Sequence, residues 1–105
     1  MSTHWTDVAA EADLFEGAAI AVTPGDHDIA LYSIDGAVYA TDNVCTHGHA
    51  RLCEGFLEGH EIECPFHQGR FDIRTGPPTY APATEAMRVW PAKREAGRVY
   101  LDLGA

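Results

Sequence analysis

An antiparallel β sandwich or barrel is the fold class this sequence predicts. Three observations predict it: apolar residues alternate with polar ones over short runs, tight-turn pairs separate the runs, and the helical period is nearly absent. Taken in chain order, DVAAEADLFEG (7–17) offers at most a helical turn or two. AAIAVTP (18–24) and HDIALYSI (27–34) are predicted strands, and the Asp35-Gly36 pair that follows is a tight-hairpin signal leading into AVYATD (37–42). HEIECP (60–65) and GRFDI (69–73) are short predicted strands. AMRVWPAKRE (86–95), AGR and VYLDL (99–103) read as a closing hairpin, with Trp5 and Trp90 as core or base residues. About eight short strands at this spacing fit a sandwich or barrel. The proline-rich TGPPTYAP (75–82) is stiff and poor in N–H donors, so it is expected as an edge connection or as a rigid flap. In EGFLEGHE (54–61), Gly55 and Gly59 let the chain reverse and bring 45–47 beside 64–67.

A length of 105 residues predicts one domain, and 46% hydrophobic with 22% charged residues reads as globular. A net charge of −9 argues against nucleic acid and against an anionic membrane surface, and it fits steering toward a basic partner protein. No apolar run approaches the roughly 20 residues of a membrane span. The N-terminal stretch lacks a basic start and an apolar segment, so no signal peptide is expected. Three cysteines, an odd count, do not suit a disulfide scaffold and point to a cytoplasmic chain with thiols reduced or metal-bound.

Two loops concentrate metal-ligating side chains. NVCTHGHA (43–50) holds Cys45, His47 and His49, and CPFHQGRF (64–71) holds Cys64 and His67. Packing alone does not explain two Cys/His pairs of the same order, each in a turn. Zinc accepts two thiolates and two imidazoles, but its usual spacing groups Cys with Cys and His with His. Here each loop carries one of each, which suits a binuclear centre with two thiolates on one iron and two imidazoles on the other. A zinc-stabilised interaction module remains the alternative. His49 competes with His47 as a ligand, His60 is expected at the surface, and His4 and His27 have no companions. Gln68 and Arg70 flank the second loop as docking or ion-pair residues.

The motif C-T-H at 45–47 with C-P-F-H at 64–67, inside TDNVCTHGHARL and GFLEGHEIECPFHQGRFDIRTG, resembles the small Rieske ferredoxins of bacterial aromatic-ring-hydroxylating dioxygenase systems, the naphthalene-dioxygenase type above all. The resemblance covers nearly the whole chain and is strongest from 40 to 76. It implies a single Rieske domain over 1–105, an antiparallel three-sheet β fold whose base holds both chain ends. It also implies a small cluster-binding subdomain at about 43–73, covered by the proline loop 75–82. Cys45, His47, Cys64 and His67 would hold one [2Fe–2S] cluster, with Gly48, Pro65 and Gly69 shaping the loops around it. The implied partners are a flavoprotein NAD(P)H reductase and a terminal oxygenase, docking transiently near the cluster tip. The chain itself would be an electron carrier and not an enzyme. A Rieske subunit of another redox enzyme, such as nitrite reductase, is the second alternative.

Departures from the quinol-oxidising branch of the Rieske proteins matter. Ala50 and Phe66 stand where that branch places a disulfide, and Gly69 and Phe71 stand where its Ser and Tyr donate to cluster sulfur. Cys53 is left as a buried thiol with no disulfide partner. Two ferric ions, two sulfides and two thiolates sum to a neutral oxidised centre, so adding an electron is easier than at a four-thiolate cluster. The missing donors and the acidic chain pull the other way, which predicts a potential near the low end of the Rieske range, about −150 mV.

Overall fold

The computed structural model describes residues 5–45, 50–65, 69–80 and 85–104. In chain order its strands are β1 (Trp5–Ala10), β2 (Ala19–Val22), β3 (Ile29–Ile34), β4 (Ala37–Asp42), β5 (Phe56–Glu58), β6 (Glu61–Glu63), β7 (Arg70–Asp72), β8 (Pro78–Tyr80), β9 (Val89–Trp90), β10 (Ala92–Glu95) and β11 (Arg98–Asp102). They form three sheets, ordered β1-β11-β10, β2-β3-β4-β9 and β5-β6-β7-β8, with every strand pair antiparallel. The all-β expectation and the three-sheet arrangement both hold. The first and last strands, β1 and β11, are paired in the base sheet.

β3 explains why three sheets are needed. All six of its residues are buried, so both of its faces are covered. Side chains alternate across a strand, and the two sets enter different cores. Ile29 and Leu31 join Leu14, Ala40, Trp90, Val99 and Leu101 against the base sheet. Ala30, Tyr32 and Ile34 join Cys45, Leu52, Ile62, Cys64, Phe71, Ile73 and Met87 on the other side. Each fully buried large apolar side chain contributes about 1.5–3 kcal/mol, so β3 ties both layers together. The Tyr32 hydroxyl meets its polar need at Thr41 Oγ1, 2.9 Å away. Burial pushes that phenol well above its usual range, so it stays neutral beside the second core.

Several elements differ from the sequence expectation. The helical turn expected in 7–17 is strand through Ala10, followed only by a 3-10 turn at Glu11–Asp13, because pairing with β11 satisfies the backbone there. The run 86–95 is two strands in two sheets: Trp90 pairs with Ala40 and Ala92 with Leu101, with Pro91 at the crossing. The reversal at 54–61 contains a strand, β5, paired with β6. Asp35 and Gly36 both have positive φ, 52° and 81°, as a two-residue hairpin requires. The proline-rich segment supplies β8, which lies at the edge of the third sheet where its missing N–H groups cost least. Its last residues, 81 and 82, are outside the described residues.

Candidate metal centre

The two cysteine loops have the same closure. The Cys45 N–H donates to the Ala50 carbonyl at 2.9 Å, and the Cys64 N–H donates to the Gly69 carbonyl at 2.7 Å. Each loop is therefore a five-residue step closed at its root by the cysteine's own backbone. Flanking pairs extend both necks, Val44 with Arg51 in the first and Glu63 with Arg70 in the second. Cys45 is 3% exposed and Cys64 0%, and both pack in the same core cluster. No disulfide joins the three cysteines. Buried thiols of this kind, presented by two matched loops over one core, are a soft donor pair suited to iron or zinc.

His47, His67, Gly48, His49, Phe66 and Gln68 lie outside the described residues; of the four candidate ligands, Cys45 and Cys64 are described. Of the supporting residues, Gly69 is buried and closes the second loop, and Pro65 sits exposed in its turn. Arg70 forms an ion pair with Glu63 at 2.9 Å and reaches Glu61 at 3.6 Å, on the sheet face just below that loop. Phe71, in the place of the quinol-branch tyrosine, is a fully buried core residue. His60 lies edge-on to Tyr39. His27 packs on Trp90, whose indole N–H donates to Asp42 at the end of β4.

Cys53 differs from expectation. It is half-buried, and the Asn43 side-chain amide donates to its sulfur at 3.3 Å. Asn43 itself is a residue that sequence reasoning passed over. It is fully buried, its Oδ1 accepts the Cys53 N–H at 2.8 Å, and its Nδ2 donates to Asp28 at 3.0 Å. Arg51 donates to the same Asp28 oxygen at 3.0 Å. That pairing, and then the Asn43 amide, hold the Asp28 carboxyl below its usual range. A buried amide beside a candidate ligand is visible in the sequence only as the N of NVC. Nothing in the string points from it to Asp28.

Close backbone approach joins the loops. Gly55 lies so near the Glu63 carbonyl that an added Cβ would sit 2.0 Å from that oxygen. The end of the first loop is thereby held against the residue preceding Cys64. Gly76 does the same for the proline segment: an added Cβ would sit 2.1 Å from the Met87 carbonyl oxygen. The Met87 N–H in turn donates to the Gly76 carbonyl.

Three antiparallel sheets, with two matched cysteine loops sharing one buried core, define the class: a β-fold iron–sulfur domain of the Rieske type. Residues 4–91 match the family model for the Rieske [2Fe-2S] domain. The chain is 50% identical over 103 residues to the ferredoxin component of a naphthalene 1,2-dioxygenase system from Pseudomonas aeruginosa, covering 98% of this chain and 99% of that one. The solved Sphingomonas yanoikuyae B1 ferredoxin superposes with a TM-score of 0.89 at 38% identity, covering 94% and 98% of the two chains. A chain in the solved complex of reduced oxygenase and oxidized ferredoxin in carbazole 1,9a-dioxygenase superposes with a TM-score of 0.88 at 38% identity, covering 96% and 94%. The protein belongs to the Rieske ferredoxins of ring-hydroxylating dioxygenase systems.

Proposed function

We propose that this chain carries single electrons from an NAD(P)H-dependent flavoprotein reductase to a Rieske non-haem iron ring-hydroxylating oxygenase. It is the ferredoxin component of such a system and leaves catalysis to the oxygenase. The observation that carries the reading is the pair of buried thiols at the roots of two equally closed loops. Identity of about half the residues to a naphthalene dioxygenase ferredoxin component supports it over the nitrite reductase alternative.

Cys45 and Cys64 would hold a [2Fe–2S] cluster by their thiolates, and His47 and His67 by their imidazoles. The bound cluster provides a reversible one-electron couple. The chain's own residues do the rest. The core beneath the cysteines, with Leu52, Ile62, Phe71 and Met87, excludes water from the thiolate side. Backbone closure at Ala50 and Gly69 ties each loop at its root, where its cysteine sits. The acidic surface steers basic partner faces toward the protein. Among the described residues no helix is long and apolar enough to cross a membrane, and a cytoplasmic location fits the thiol chemistry.

The test is direct. Anaerobically purified protein should contain two irons and two acid-labile sulfides per chain, bleach with dithionite and give a Rieske-type EPR signal. Added to a reductase and an oxygenase, it should make product formation depend on its presence. A colourless protein containing zinc would replace this reading with the interaction-module alternative.

A further inference from the structure

The first cysteine loop is tied to the body of the protein at both ends through one carboxylate. The Asp28 Oδ1 accepts from Asn43 Nδ2 and from Arg51 Nη2, each at 3.0 Å. Asn43 precedes the loop and Arg51 follows it. Backbone bonds run parallel to these contacts: the Asn43 N–H donates to the Asp28 carbonyl at 2.9 Å, and the Leu52 N–H donates to the Asn43 carbonyl at 2.7 Å. The Asn43 side chain also holds Cys53 by its N–H and its sulfur. Every polar group of a fully buried asparagine is therefore in use, within two residues of Cys45. The second loop has a different support, with Arg70 bridging strands of its own sheet.

We propose that Asp28 and Asn43 are positioning residues for the first ligand loop. They clamp both of its roots to the turn between β2 and β3, and so set how Cys45 presents its sulfur. The inference rests on the functional reading above. It goes beyond that reading by assigning the fixing of the ligand to residues that do not touch the cluster. Losing a charge-assisted hydrogen bond to the half-buried Asp28, and with it a partner of the buried Asn43 amide, is worth roughly tenfold in an equilibrium. That loss should appear in how firmly the loop holds its metal.

The experiment uses iron-loaded wild-type protein with the variants Asp28→Ala, Asp28→Asn, Asn43→Ala and Arg51→Gln. The Arg51 side chain is 41% exposed, so its variant leaves the buried asparagine in place and should fold even if Asn43→Ala does not. Arg98→Ala, which removes an ion pair to Asp7 in the base sheet, is the control. Three quantities are measured: cluster release into excess ferrous chelator at constant temperature, the midpoint potential by voltammetry, and the EPR g-values. Asp28→Ala and Asn43→Ala are expected to speed release roughly tenfold and to shift the potential. Asp28→Asn, which keeps an oxygen acceptor, should fall nearer wild type. Release rates, potentials and spectra that move no further than those of Arg98→Ala would overturn the clamp. Iron-free wild-type protein would overturn the functional reading and the clamp with it, whereas a normal wild-type cluster with indifferent variants removes the clamp alone.

Discussion

Gly55→Ala and Gly59→Ala separate two reasons for keeping a glycine. Gly59 has a φ of +58° with nothing near its missing Cβ, whereas Gly55 has an ordinary φ of −86° and no room. At Gly55 an alanine Cβ would sit 2.0 Å from the Glu63 carbonyl oxygen, and ordinary contact begins near 3.4 Å, so the backbones must part by about 1.4 Å. Phe56 and Glu63 are paired across that gap, and such a displacement breaks their ladder hydrogen bonding. Overpacking of this kind costs about 1–3 kcal/mol, and a lost hydrogen bond adds about 1 kcal/mol. At Gly59 the left-handed penalty is about 1–2 kcal/mol, and the gain of about 0.4–1 kcal/mol from a stiffer unfolded chain applies to both variants and cancels between them. Gly55→Ala should therefore be the worse by about 1.5 kcal/mol, or roughly 9 °C in unfolding midpoint for a domain this size. Thermal scans at one fixed rate, followed by circular dichroism and by the cluster's visible absorbance, measure both variants. Because Gly55 abuts the residue before Cys64, its variant should also lose the chromophore before the fold. If Gly59→Ala proves equal or worse, conformational freedom and not space is what the turn requires, and the close-approach argument fails.

Replacing His47 or His67 with Cys adds thiolate charge, so the potential should fall or the cluster be lost; an unchanged Rieske EPR spectrum would contradict the ligand assignment. Hydrogen bonds from Arg51 and Asn43 lower the Asp28 pKa, and Arg74 lowers that of Asp72, so both groups favour the charged, folded form. Their contribution is complete above the usual carboxylate value of about 3.9 and fades as pH falls through the lowered folded values. Unfolding midpoints measured from pH 6 down to pH 2 should show a smaller loss for Asp28→Asn than for wild type, and parallel curves would dismiss Asp28. With a net charge of −9, electron transfer to the oxygenase should slow as salt rises. Stopped-flow rates indifferent to ionic strength would remove steering as its cause.

Most of the strand content was legible because strands advertise themselves locally. Alternation in HDIALYSI and AVYATD, joined by Asp35-Gly36, needs no distant partner to be read, and the structure pairs Ile34 with Ala37 there. The first strand was harder. DVAAEADLFEG is rich in alanine and acidic residues, which suit a helix as well, and only the presence of β11 makes its first residues extended. β5 was hidden for a related reason: three residues between turn glycines carry too little pattern to call.

Residue order alone marked the candidate site, because ligand type and spacing are local chemistry: two turns that each pair a thiol with an imidazole, one or two residues between them, suit a shared binuclear centre. It also determined the acidic balance and the β class. Tertiary structure alone decided that Cys45 and Cys64 open onto one buried core, that β3 is covered on both faces, and that Asp28 holds both ends of a loop beginning fifteen residues later. These are long-range contacts, made when sheets pack. A linear string records which groups are available to make them, but not which ones chain closure brings within hydrogen-bonding distance.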